Sequence, residues 1–166
     1  SLAGTVIAVI YSPIGLLITH IGDGRAAYCN CDNEWKSIMT PWKGEEANAT
    51  VFITSDIWHQ DIDHFVESRV ITEKPIAFTL MSDGCEKASF ECSQVDPSTQ
   101  KWSDPNKPFP KFFNPLVNTL TNLKQEGTPY NEIKAKWHSF LTGGNQTLKD
   151  EPDDKTMILG VLMNQS

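Results

Sequence analysis

The chain has 166 residues, 39% of them hydrophobic and 21% charged, which makes one ordinary domain with material for a sizeable core. Its apolar runs fall short of the ~20 residues that a membrane helix needs, so no membrane span is expected. A net charge of -7 argues against a nucleic-acid or anionic-membrane surface, and it means that any phosphate chemistry here would draw its positive field from bound cations more than from arginines.

The chain opens on Ser1-Leu2-Ala3-Gly4 and passes at once into the apolar run Thr5 to Tyr11. That run reads as a central strand buried on both faces, and the abrupt start has the look of a cut through a domain. Ser12-Pro13-Ile14-Gly15 turns the chain into a second strand, Leu16 to Ile21. Arg25 to Cys31 and Glu34 to Met39 follow, joined by Asp32-Asn33, two residues that tolerate positive φ and suit a tight hairpin. Strands joined this closely are antiparallel. Cys29 and Cys31 sit two apart on one strand, so both are expected to pack in the core as small hydrophobes, and none of the four cysteines has C-x-x-C spacing.

A polar loop from Thr40 to Ala49 leads to a short strand at Thr50 to Thr54. Asp61 to Ile71 fits strand alternation and helical spacing alike. The stretch from Cys92 to Pro110 is rich in Pro, Asp, Ser, Asn and Lys and reads as a long loop or lid. Two helices follow. The first runs from about Phe109 to Gln125 with Phe112, Phe113, Leu116, Leu120 and Leu123 on one face, and Gly127 ends it. The second, from about Tyr130 to Leu141, starts after Thr128-Pro129, carries Ile133, Trp137, Phe140 and Leu141, and stops at Gly143-Gly144. A closing strand spans Thr156 to Met163. A strand-rich first half, a helix pair and a closing strand make the fold class α+β.

Three carboxylate-bearing turns stand out. The run Ile76 to Met81 delivers Ser82-Asp83-Gly84-Cys85, an aspartate at the end of a strand. Glu151-Pro152-Asp153-Asp154-Lys155 leads directly into the closing strand, so its carboxylates stand at a strand's beginning; if the two strands are antiparallel neighbours, the carboxylates meet at one edge of the sheet. Ile21-Gly22-Asp23-Gly24-Arg25-Ala26 is a third such turn. Magnesium and manganese take oxygen ligands, keep several waters and make hydroxide available near neutral pH, and carboxylates planted on rigid strand ends serve that chemistry. Competing readings are a turn aspartate capping its own backbone for Asp83 and a solvated acidic loop for Asp153. His20, His59, His64 and His138 show no i, i+4 pairing, no Ser-His-Asp or Cys-His arrangement is defined by spacing, and the five tryptophans do not interleave with basic residues.

Taken in order, Gly22-Asp23-Gly24-Arg25-Ala26, Ser82-Asp83-Gly84 and Asp153-Asp154-Lys155-Thr156 resemble the signatures of the metal-dependent serine/threonine protein phosphatases of type 2C. The resemblance covers nearly all of the chain. It implies two antiparallel sheets in a sandwich flanked by helices, with residues 1–166 forming the C-terminal part of a single catalytic domain whose N-terminal part lies before Ser1. It also tips 61–71 toward a strand paired with Ile76 to Met81 across Glu73-Lys74-Pro75. The implied activity is hydrolysis of phosphoserine or phosphothreonine in a phosphorylated protein substrate, by a water activated on two manganese or magnesium ions. With no signal peptide to read, a cytoplasmic location is expected by default. Asp83 and Asp153 match metal ligands, with Gly84, Asp154 and Thr156 around them; Asp154 takes the ligand role instead if the register slips by one. Asp23 matches an aspartate of a third, weaker cation site. That site normally has a further aspartate where this chain has Lys87, which competes with a cation or faces phosphate in its place. The family's phosphate-binding arginine, its Glu-Asp pair and its Asp-Gly-x-Gly motif are not in these residues, and Arg25 belongs to the Gly-Asp-x-Arg motif. A phosphatase-like module that has lost metal and serves in binding or regulation is the alternative.

Overall fold

The computed structural model describes residues 3–42, 50–56, 58–59, 62–95 and 97–162. In chain order the first half holds strands β1 (Val6–Ser12), β2 (Gly15–Ile21), β3 (Arg25–Cys29), β4 (Trp35–Ser37), β5 (Glu67–Ile71) and β6 (Ala77–Met81), then a one-turn helix α1 (Glu86–Ser89). Four two-residue strands follow: β7 (Phe90–Glu91), β8 (Gln94–Val95), β9 (Trp102–Ser103) and β10 (Lys107–Pro108). Helices α2 (Pro110–Gln125), α3 (Tyr130–Gly143) and α4 (Gln146–Asp150) lead to β11 (Met157–Val161).

The strands build two principal sheets, in the orders β1-β2-β5 and β11-β6-β3-β4, with every pair antiparallel. Alternation decides what lies between them. Leu16 and Ile18 of β2 turn inward to meet Ala26 and Tyr28 of β3 and Phe78 and Leu80 of β6, forming the inter-sheet core. The opposite face of the four-stranded sheet, through Ala27, Cys29, Ala77 and Met81, packs on the helical layer. There Phe113 of α2 is fully buried and stacks on Trp35 at 4.4 Å, while the Trp35 indole N–H donates to Asn114 Oδ1 at 2.8 Å. Trp137 of α3 reaches across to donate to the carbonyl of Met157 at 3.1 Å. The result is an α+β molecule of antiparallel sheets and helices.

Several sequence expectations are corrected here. Residues 61–71 are not one strand paired with β6: Ile62–His64 is a 3-10 turn, only Glu67–Ile71 is extended, and it pairs with β2 from Leu16↔Ile71 to His20↔Glu67. Both neighbours of β6 are already taken by β3 and β11, whose backbones satisfy its ladder. Thr50 to Thr54 forms no strand; Ile53 N–H donates to Gly4 O at 2.9 Å and the chain turns. β3 ends at Cys29, so Cys31 lies exposed in the hairpin while Cys29 is buried. In that turn Asn30 Oδ1 accepts the amides of Asp32 and Glu34, and Asn33 takes φ 61. β1 is not buried on both faces: among the described residues β2 alone pairs with it, and Val6, Ile10 and Tyr11 are exposed. The segment read as a long loop carries the β7–β10 and β8–β9 ladders. The polar loop 40–49 lies mostly outside the described residues.

Candidate functional site

The three aspartate turns come together because of register. Arg25, Met81 and Met157 occupy one row across β3, β6 and β11, so the residues just before β3, just after β6 and just before β11 share one edge of the sheet. Asp23, Asp83 and the pair Asp153-Asp154 are those residues.

Local bonding holds the Ser82 turn against the loop before β11. Ser82 N–H donates to Thr156 O at 3.0 Å, the Ser82 hydroxyl donates to Asp154 O at 3.0 Å, and Thr156 N–H returns a bond to Ser82 Oγ at 3.0 Å. Gly84 is demanded by this contact, since a Cβ there would run into the carbonyl of Asp154. On the other side, Gly24 is buried with Met81 O where a Cβ would stand. Lys155 Nζ donates to the carbonyls of Glu151 at 2.8 Å and Asp153 at 3.3 Å, which curls the acidic loop back on itself. Lys87, placed by α1 and largely exposed, pairs its ammonium with Glu151 Oε2 at 2.8 Å.

The electrostatics follow from that crowding. Asp83 lies at the exposed rim, yet the protein packed around its carboxyl raises its pKa first by desolvation, and Asp23, Asp153 and Glu86 add like charge. Its Oδ1 accepts the Gly84 amide at 2.9 Å, which opposes the rise. Carboxylates brought to one sheet edge suit a hard divalent cation, which would neutralise them and accept their oxygens. Asp83, Asp153 and Asp23 therefore fit magnesium or manganese as part of a ligand set. They do not complete one: among the described residues no group of three or more His, Cys, Asp or Glu side chains stands close enough to hold a metal by itself. The thiol of Cys85, buried beside the turn, is pushed up to about 11 by desolvation and stays protonated, which removes it as a nucleophile.

Arg25 is fully buried and committed elsewhere. Its guanidinium bonds Glu86 at 2.7 Å, Asp104 at 2.7 Å and Asn106 at 2.7 Å, and lies over the Phe90 ring. Burial alone would lower its pKa, but these carboxylates outweigh that and raise it. It is a structural clamp between the start of β3 and the segment before α2. A cavity of about 780 Å3 is lined by His20, Trp42, Phe65 and Glu67 among others, and Asp23, Asp83 and Asp153 are not among its lining residues. The carboxylates stand on an open rim instead, as befits groups that would share a cation with a bulky substrate. Sequence reasoning missed Ser82, Lys155 and Glu151 as the parts that hold the two turns together, although all three stood inside runs singled out for their aspartates.

A protein phosphatase 2C family model matches residues 1–136, and the chain belongs to that family. It is also 30% identical over 159 residues to serine/threonine-protein phosphatase 3 of Escherichia coli (strain K12), a match covering 96% of this chain and 55% of that protein. The chain thus spans about half the length of this relative. No solved structure matches it. No helix among the described residues is long and apolar enough to cross a membrane.

Proposed function

We propose that these residues form the C-terminal part of a metal-dependent phosphatase acting on phosphoserine or phosphothreonine in proteins, in the cytoplasm. The supporting observation is the row Arg25–Met81–Met157, which delivers Asp23, Asp83 and Asp153 to one sheet edge from three distant parts of the chain. Bound there, magnesium or manganese would supply Lewis acidity and an activated water for attack on phosphorus. Asp83 and Asp153 would hold it, Ser82 and Gly84 would fix their separation, and Asp154 and Thr156 would supply backbone to that joint. Asp23 would serve a further cation at most, because Lys87 stands where that third site would have its other aspartate and is paired with Glu151. The remaining donors, and the group that binds phosphate, would come from an N-terminal part of the same domain.

The test is Asp83→Asn and Asp153→Asn in the natural full-length protein. Each is expected to abolish manganese-dependent hydrolysis of a phosphopeptide with the circular dichroism spectrum unchanged; full turnover at saturating manganese would remove that residue from the ligand set. A second reading, a phosphatase-like module that binds without catalysis, is supported by Lys87, which stands where the third cation site would have an aspartate and pairs with Glu151. The coding sequence upstream of Ser1 separates the two: an arginine followed by Glu-Asp, with Asp-Gly-x-Gly, supports the enzyme, and neither supports the module.

A further inference from the structure

We propose that Lys87 is a positioning residue for Asp153, acting through Glu151. This rests on the reading of Asp153 as a cation ligand. The relay is visible in three contacts. Lys87 Nζ donates to Glu151 Oε2 at 2.8 Å; the other oxygen, Glu151 Oε1, accepts the backbone amide of Asp153 in a long bond of 3.5 Å; and Lys155 Nζ ties the Glu151 and Asp153 carbonyls from the opposite side. One carboxylate therefore links α1, four residues after Asp83, to the main chain of Asp153 itself. The two ends of the ion pair differ in exposure: the Lys87 side chain is 63% exposed and that of Glu151 only 8%. An ion pair between two exposed groups contributes little, but a carboxylate this enclosed is held where it is by the cation that meets it. The Asp153 side chain is exposed, so its place is set through the main chain, where Pro152 before it offers no amide and Glu151 and Lys155 make the contacts.

Two effects of removing Lys87 have opposite signs, and this makes the proposal decidable. As a mere charge, Lys87 repels a divalent cation, and its loss also leaves Glu151 less neutralised; both changes would tighten metal binding. As a positioning residue, its loss frees the loop that carries Asp153 and weakens metal binding. Groups that orient a metal ligand from behind typically cost 10- to 100-fold in affinity when lost. For a pair with one exposed end, the lower figure applies.

The experiment uses the natural full-length protein with Lys87→Met and Lys87→Arg. Manganese affinity is measured by calorimetric titration, and hydrogen exchange is followed in the peptide spanning 152–156, whose Thr156 amide bonds Ser82 Oγ. Lys87→Met is expected to weaken manganese binding about 10-fold and to speed exchange in that peptide, while Lys87→Arg, which keeps the ion pair, stays near wild type in both. Equal or tighter manganese binding in Lys87→Met overturns the proposal and leaves Lys87 a simple charge. Unchanged exchange overturns it as well, whatever the metal does. If the wild-type protein takes up no manganese, the phosphatase reading fails separately, and the exchange of 152–156 still decides whether Lys87 holds the loop.

Discussion

At the scale of single residues, Gly84 has little freedom to change. A methyl group there meets the Asp154 carbonyl, which is backbone already bonded to Ser82, so the loop before β11 must move away from the turn after β6. Gly84→Ala is expected to cost about 1–3 kcal/mol in denaturant unfolding and to lower manganese affinity in the full-length protein more than its stability loss explains. His20 makes a different prediction. It is buried between the sheets, its Nε2 has no hydrogen-bond partner, and desolvation holds its pKa below 6.5 despite the opposing fields of Glu67 and Asp23. The folded chain therefore keeps it neutral while the unfolded chain takes up a proton as pH falls through 6.5. Stability is complete above that value and falls below it, by about 1.4 kcal/mol per pH unit until the folded form titrates too. His20→Leu should flatten the slope of unfolding free energy between pH 7 and 5, and identical slopes in the two proteins would refute the assignment.

Among the elements, the segment from β7 to α2 shows what sequence patterning can and cannot reveal. Its prolines and polar residues were legible as a loop, but the clamp that fixes it was not. Arg25 reaches it at Asp104 and Asn106, and the Asn106 amide donates to Met39 O at 2.7 Å, across separations that no local period records. Arg25→Met removes the cation that Glu86 and Asp104 share, and a loss of about 3–5 kcal/mol is expected, with limited proteolysis cutting first within 97–103. Helices α2 and α3 were readable nearly to their ends because a 3.6-residue apolar face carries through several turns and Gly127, at φ 71, marks a stop in the sequence itself. β5 was misassigned because five residues of alternation cannot name the partner; burial of Leu16 and Ile18 on β2 against the other sheet decides it. The same limit applied at the candidate site. Asp83 and Asp153 were visible as strand-end carboxylates, whereas Lys87 and Glu151, 64 residues apart, are linked only once the strands are in place. Short α4 escaped notice, although Asn145 caps it by accepting the Leu148 amide at 2.8 Å.

For the whole molecule, the two faces of the sandwich are covered unequally. Helices lie on the four-stranded sheet, while the outer face of β1-β2-β5 shows Ile10, Leu17 and Val70 in one row across three strands, at 64%, 43% and 66% exposure. An apolar row beside the edge of β1, unpaired among the described residues, invites association. The 166 residues alone are expected to sediment as mixed oligomers, and Ile10→Thr with Leu17→Thr and Val70→Thr to shift them toward monomer; a monodisperse wild-type monomer would contradict this. β6 occupies a second position of consequence. Its partners come from opposite parts of the chain: β3 is made long before it and β11 long after, with every helix in between. A ribosome can thus release β3 and β6 to pair, and Asp23 and Asp83 to face each other, while one margin of β6 still waits. Closing that gap requires the slowest kind of contact, a strand returning from far along the chain. Asp153 consequently reaches the edge held by Asp23 and Asp83 only after β11 has been made, so a chain still growing through its helices carries that edge incomplete.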